Sequence, residues 1–173
     1  MAIANPLLSF VVRGLQAVFG IVVLGISVSL VRGHHWGSLP ATLGFSAFVG
    51  GITILGAALG VAGIFLGFLD GTIAIVVDAV IALINLACGV LLAIKVSGAD
   101  CDMNTAKDAD MVIHNNIFNG GCRKDGLCWC WNTSGLDTMK SRCISTKADC
   151  AFMFLTVVVI AVAAMLVFLR TRK

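Results

Sequence analysis

Charge is what this sequence has least of. Charged residues make up 12% of its 173 positions, about half the share of an ordinary soluble domain. From Met1 to Ile94 there are only Arg13, Arg32, Asp70 and Asp78. That scarcity argues against a water-soluble bundle, whose helices each need a polar face. A net charge of +3, with no basic run before Arg170-Thr171-Arg172-Lys173, excludes a nucleic-acid partner. There is no HExxH, GxSxG or Walker-type pattern and no histidine in an apolar stretch. No catalytic residue, metal-ligand set or cofactor site is therefore expected, and the protein is expected not to be an enzyme. The start also lacks a basic region ahead of its apolar core, so a retained first helix is expected rather than a cleaved leader.

What the chain has instead is hydrophobic length. Apolar residues reach 59% and fall into runs of the roughly twenty residues needed to cross a bilayer core about 30 Å thick. The expected spans are about 6–31, opened by Asn5-Pro6, then 41–66, 72–96 and 151–169. The fold class is all-α, an integral membrane bundle of four transmembrane helices.

Two patterns inside these spans carry information. Gly56, Gly60, Gly63 and Gly67 recur along one helical face, the small-xxx-small spacing that lets another helix approach closely. Asp78, Ala82, Asn85 and Gly89 repeat that register on the third span, and an ionisable face of this kind must point into protein. If the first and third helices start on the same side, Arg13 and Asp78 each lie about seven residues in, roughly 10 Å at the helical rise. Equal depth makes a charge pair available, with Gln16 and Asn85 as hydrogen-bonding neighbours.

The one long polar stretch, 97–150, holds Cys101, Cys122, Cys128, Cys130, Cys143 and Cys150 and the sequon Asn132-Thr133-Ser134. Cys88, within a span, reads as a packing residue. Six cysteines beside a glycosylation acceptor point to an oxidising, extracytoplasmic loop, although they allow fifteen pairings. A zinc site from Cys122, Cys128, Cys130 and His114 lacks the paired CxxC spacing. From Lys95 to Cys150 seven lysines and arginines face seven aspartates, so the loop steers no charged partner. The basic C-terminal residues favour a cytosolic end. Four spans then put both termini in the cytosol and the cysteines outside.

This arrangement resembles the fungal MARVEL-domain proteins of the non-classical export and eisosome-organiser family. The resemblance rests on Asp78, Gly89 and Cys101 leading out of the third span. It continues in Arg142-Cys143, Ala148, Ala151 and Phe152 leading into the fourth. The chain departs from that pattern in having Ile81 where an asparagine is usual, four additional loop cysteines and no tyrosine. The resemblance implies a MARVEL-like fold and a membrane-organising scaffold without catalytic activity. It also implies Cys101–Cys143 as the first disulfide, with the other four cysteines pairing among themselves. The implied partners are membrane lipids, a sterol or sphingolipid among them, further copies of the chain and other membrane proteins. The expected address is the plasma membrane or another membrane of the secretory route. Two rival readings are a claudin-like junction protein, suggested by Gly126-Leu127-Cys128-Trp129-Cys130, and a small channel or transporter using Asp78.

Overall fold

The structure, a computed structural model, describes residues 6–65 and 71–171. Its elements are α1 (Pro6–Arg32), α2 (Ala41–Phe65), α3 (Thr72–Val96), a short α4 (Ala106–Ile113), a single π-helical turn (Cys130–Ser134) and α5 (Gly135–Thr171). Among the described residues there is no strand, only an isolated bridge between Cys122 and Cys128. Gly67 and the Asp70 connection lie outside the described residues, as do Arg172 and Lys173.

Four of these helices are long and apolar enough to cross a membrane. They form a ring in the order α1, α2, α3, α5, with α1 diagonal to α3 and the α2–α3 seam the loosest. The outside of the ring is apolar throughout: Phe10, Val18, Leu55, Ile73, Leu83 and Val158 are all more than half exposed. In a lipid surround such a belt needs no polar cover, whereas in water it would aggregate.

The fourth spanning helix differs from its expected bounds. It begins at Gly135 rather than near Ala151, and its 37 residues correspond to about 55 Å at the helical rise. That is well beyond the hydrocarbon thickness, so the first two turns, before Arg142 meets the Leu30 carbonyl, stand out of the bundle as a mast. Hydropathy cannot see a helix that projects into water. Its signature is the buried stripe Met139, Arg142, Cys143, Thr146, Asp149 and Met153, which recurs at helical spacing through polar sequence.

The polar stretch is therefore a cap built around this mast. Ile117 and Phe118 are fully buried in the same cluster as Leu30, Leu43 and Leu92, so cap and bundle share one core. Three residues on one face of α5 fasten the segment after α3. Lys140 pairs with Asp102 at 2.6 Å, Cys143 is joined to Cys101, and Lys147 Nζ donates to the Ala99 carbonyl at 2.6 Å. The connection from α1 to α2 docks on Gly120-Gly121, where the Gly120 carbonyl accepts from the His35 amide at 2.9 Å. Gly121 has φ +92°, and a Cβ there would run into the Trp36 carbonyl oxygen. Only glycine fits that position.

Candidate functional site

The membrane part of the bundle is threaded by polar layers. Nearest the end away from the cap, Arg13 reaches diagonally from α1 to α3. Its Nη1 donates to Asp78 Oδ1 and its Nη2 to Oδ2, both at 2.6 Å. Nη1 also donates to Gln16 Oε1 at 2.8 Å. Arg13 is 3% and Asp78 1% exposed, so this is a buried, bidentate pair of the kind guanidinium geometry favours. The route to it crosses α2. A Cβ on Gly60 would collide with the Arg13 side chain, and one on Gly56 with Ile81.

Asn85 does not join this pair. Its Nδ2 donates to Thr53 Oγ1 and to the Ile81 carbonyl, each at 2.9 Å, two turns further toward the cap. It thereby ties α3 to α2. The separation follows from the sequence, since seven residues of helix carry Asn85 about 10 Å past Asp78.

A third layer lies closest to the cap. Asp149 Oδ2 on α5 accepts from Ser46 Oγ at 2.6 Å and from Ser27 Oγ at 2.9 Å, joining α5 to α2 and α1. Asp149 has no exposed surface. Its place in a polar stretch made it read as a loop residue. The signal that reveals it is the helical spacing of Arg142, Thr146 and Asp149 on one buried face.

In the cap, Arg142 closes the top of α1. Its Nη2 donates to the Leu30 carbonyl at 3.2 Å and to the Ile117 carbonyl at 2.9 Å, satisfying an acceptor of the last helical turn with a cation. The cysteines divide into two bridges, Cys101–Cys143 and Cys122–Cys128, and three buried thiols, Cys88, Cys130 and Cys150. This corrects the expectation that Cys130 and Cys150 would be bridged. They stand far apart along the helix, with the fifteen steps from Gly135 to Cys150 alone spanning about 22 Å, and a disulfide needs its Cα atoms within about 7 Å. The Cys150 thiol instead meets the Gly89 carbonyl at 3.3 Å. The adjacent histidines diverge: the His34 ring meets the Ser38 carbonyl at 3.1 Å, while His35 stacks on Trp129 with ring centroids 4.3 Å apart. Burial holds the His34 ring below its ordinary pKa. Arg123 lies over Trp36 at 4.5 Å, completing an aromatic clasp between the first connection and the cap. Asn132 is exposed on the π-helical turn, where its Nδ2 donates to the Cys128 carbonyl at 3.0 Å.

Against this geometry, a family model described as MARVEL, membrane-associating domain, matches residues 6–166. That range takes in all four spanning helices and the cap between α3 and α5. The chain belongs to the MARVEL family. No curated protein and no solved structure matches it.

Within this MARVEL bundle the glycine stripe works differently from its sequence reading. Gly56 and Gly60 admit the side chains of Ile81 and Arg13 rather than a bare backbone. Gly63 is buried beside them. A close helix-to-helix backbone approach is found instead at Gly50, where a Cβ would stand 2.6 Å from the Leu24 amide nitrogen and 2.8 Å from its Cα. Gly51, its neighbour, has nothing within 4 Å of that position. Gly50→Ala is accordingly expected to destabilise the MARVEL domain by about 1–3 kcal/mol through overpacking. Gly51→Ala should be neutral or stabilise it by about 0.5–1 kcal/mol, because alanine favours the helix. Melting of the two variants in one detergent measures the difference, and equal melting temperatures would contradict this account of the α1–α2 contact.

Proposed function

We propose that this MARVEL protein is a membrane-organising scaffold. It associates with further copies of itself and gathers lipids or membrane proteins into plasma-membrane microdomains, with a link to non-classical export as in the family it resembles. The supporting observation is where the polar groups point. Arg13, Asp78, Asn85 and Asp149 are all buried within the bundle, which leaves an apolar belt for lateral contact. The cap meanwhile exposes Leu127, Trp131 and Leu136, each about half accessible. An apolar group of this kind outside the bilayer fits a protein contact.

In this reading both termini are cytosolic and the disulfide-braced cap is extracytoplasmic, with Asn132 open to glycosylation. The channel alternative gains nothing from Asp78, whose two oxygens are both engaged by Arg13. Single-particle size measurement in nanodiscs tests the scaffold reading. Dimers or larger species are expected, and Trp131→Ser should shift them toward smaller ones. A strictly monomeric protein at all concentrations would overturn it.

A further inference from the structure

The ring of His34 lies where the connection from α1 to α2 docks on the cap, and its two nitrogens are treated differently. Nε2 meets the Ser38 carbonyl at 3.1 Å, so in the neutral ring the proton sits on Nε2 and is donated there. Nδ1 is then an acceptor, and it is buried with no hydrogen-bond partner among the described residues. A neutral imidazole tolerates an unused lone pair. A protonated one would carry a second N–H, with charge, into a place that offers it no acceptor.

The joint around the ring is tight. The Gly120 carbonyl accepts from the His35 and Trp36 amides at 2.9 and 3.4 Å. A Cβ on Gly121 would collide with the Trp36 carbonyl and come within 2.9 Å of His34 Nε2. One on Gly37 would stand 3.0 Å from the Cys122 carbonyl oxygen. The titratable groups facing the ring are Arg142 of α5, whose Nη1 lies against the side-chain position of Gly33, and His35 of the connection itself. The cap loop adds Arg123, held over Trp36, and Cys122, which is bridged. None of these is an acid, so nothing compensates a charge on the imidazole. A cavity of about 110 Å³ between Trp36, Ser38, Asn116 and Cys122 flanks the ring, room enough for water to bring a proton.

We infer that His34 is an acid-sensitive latch: protonation of its ring releases the α1–α2 connection from Gly120-Gly121 and opens the aromatic clasp of Trp36, His35 and Trp129. Burial above all, then Arg142 and His35, hold the folded ring below its ordinary value of 6.5, against the pull of the Ser38 and Trp36 backbone. Docking is therefore fully favoured above about pH 6.5 and weakens as the pH falls from there through the folded value. The other side of the cap stays closed in this window. Lys140 holds Asp102 below the usual carboxylate range, and the Cys101–Cys143 bridge does not titrate. Only the compartment whose acidity reaches the cap depends on the topology proposed above, and purified protein tests the latch without it.

The test follows hydrogen exchange of the full chain in mild detergent from about pH 7.5 to about pH 5, a range that brackets the ordinary histidine value. Rates are corrected for the intrinsic effect of pH. The His35 and Trp36 amides should lose protection as the pH falls, while the residues flanking Cys101 and Cys143 keep theirs. Carbon-13 labelling of the three histidines gives the titration of the His34 ring, whose midpoint should coincide with that of opening. His34→Gln keeps an amide donor for Ser38 and cannot take the proton, so its connection should stay docked across the range. His35→Gln and His114→Gln should open as the parent does. Opening that persists in His34→Gln, or that tracks the titration of another group, would overturn the latch, as would a parent that stays docked at the acid end. Where His34→Gln is loose at every pH, the parent decides: coincident midpoints support the latch and separate ones refute it.

Discussion

Asp78→Leu is expected to destabilise the protein by about 3–5 kcal/mol, the usual cost of stranding one member of a buried ion pair. The substitution leaves the Arg13 guanidinium, 3% exposed, with Gln16 Oε1 as its side-chain acceptor among the described residues. Retreat toward the interface would relieve the charge but would empty the groove that Gly60 provides and abandon Gln16. The informative comparison is the double variant Arg13→Met/Asp78→Leu. Replacing both charges by apolar groups of similar size is often close to neutral, so most of the lost stability should return. Melting of the single and double variants in one detergent measures the coupling. Additive losses would show that Arg13 and Asp78 act independently, which the bidentate geometry does not allow. Reversing both charges should likewise rescue expression that either single reversal damages.

Cys101→Ser is the other substitution with a large expected effect, about 4 kcal/mol from the chain-entropy model for a bridge across 42 residues. The same model gives only about 2 kcal/mol for Cys122→Ser, whose bridge closes a loop of six. Location points the same way. Cys101–Cys143 fixes the exit of α3 to the mast between the Lys140–Asp102 and Lys147–Ala99 contacts, so its loss frees the base of the cap. Cys122–Cys128 braces only a local turn beside the α1–α2 connection. Thermal unfolding of each serine variant, with the parent measured in reductant for reference, should rank them in that order. A larger loss at Cys122 would mean that the contact with the α1–α2 connection, rather than the tie to α3, holds the cap in place.

Membrane insertion was legible in the sequence because hydropathy is a property of consecutive residues. A window of twenty apolar side chains crosses a bilayer whatever it packs against, so the first three spans were placed to within about a residue. Counting from the helix starts sets Arg13 and Asp78 at one depth, and in the structure they meet across the diagonal of the ring. The start of α5 was not legible in the same way. Gly135 to Cys150 is polar on average, and its helical character shows only in which of its residues are buried. Asp149 is hidden for the same reason, as a charged residue two positions before an apolar run reads as loop unless its face is known.

The order of the chain alone determined that this protein lives in a membrane, crosses it four times and gathers six of its seven cysteines in one polar stretch, since these depend on composition and on residues near one another. Only the tertiary structure decided which glycine touches which helix, that Asn85 serves Thr53 rather than Asp78, and which thiols stay free. Those outcomes depend on distances between segments far apart in sequence. Several arrangements of the four helices would bury the same stripes, and it is side-chain shape at Gly50, Gly60 and Arg13 that selects among them.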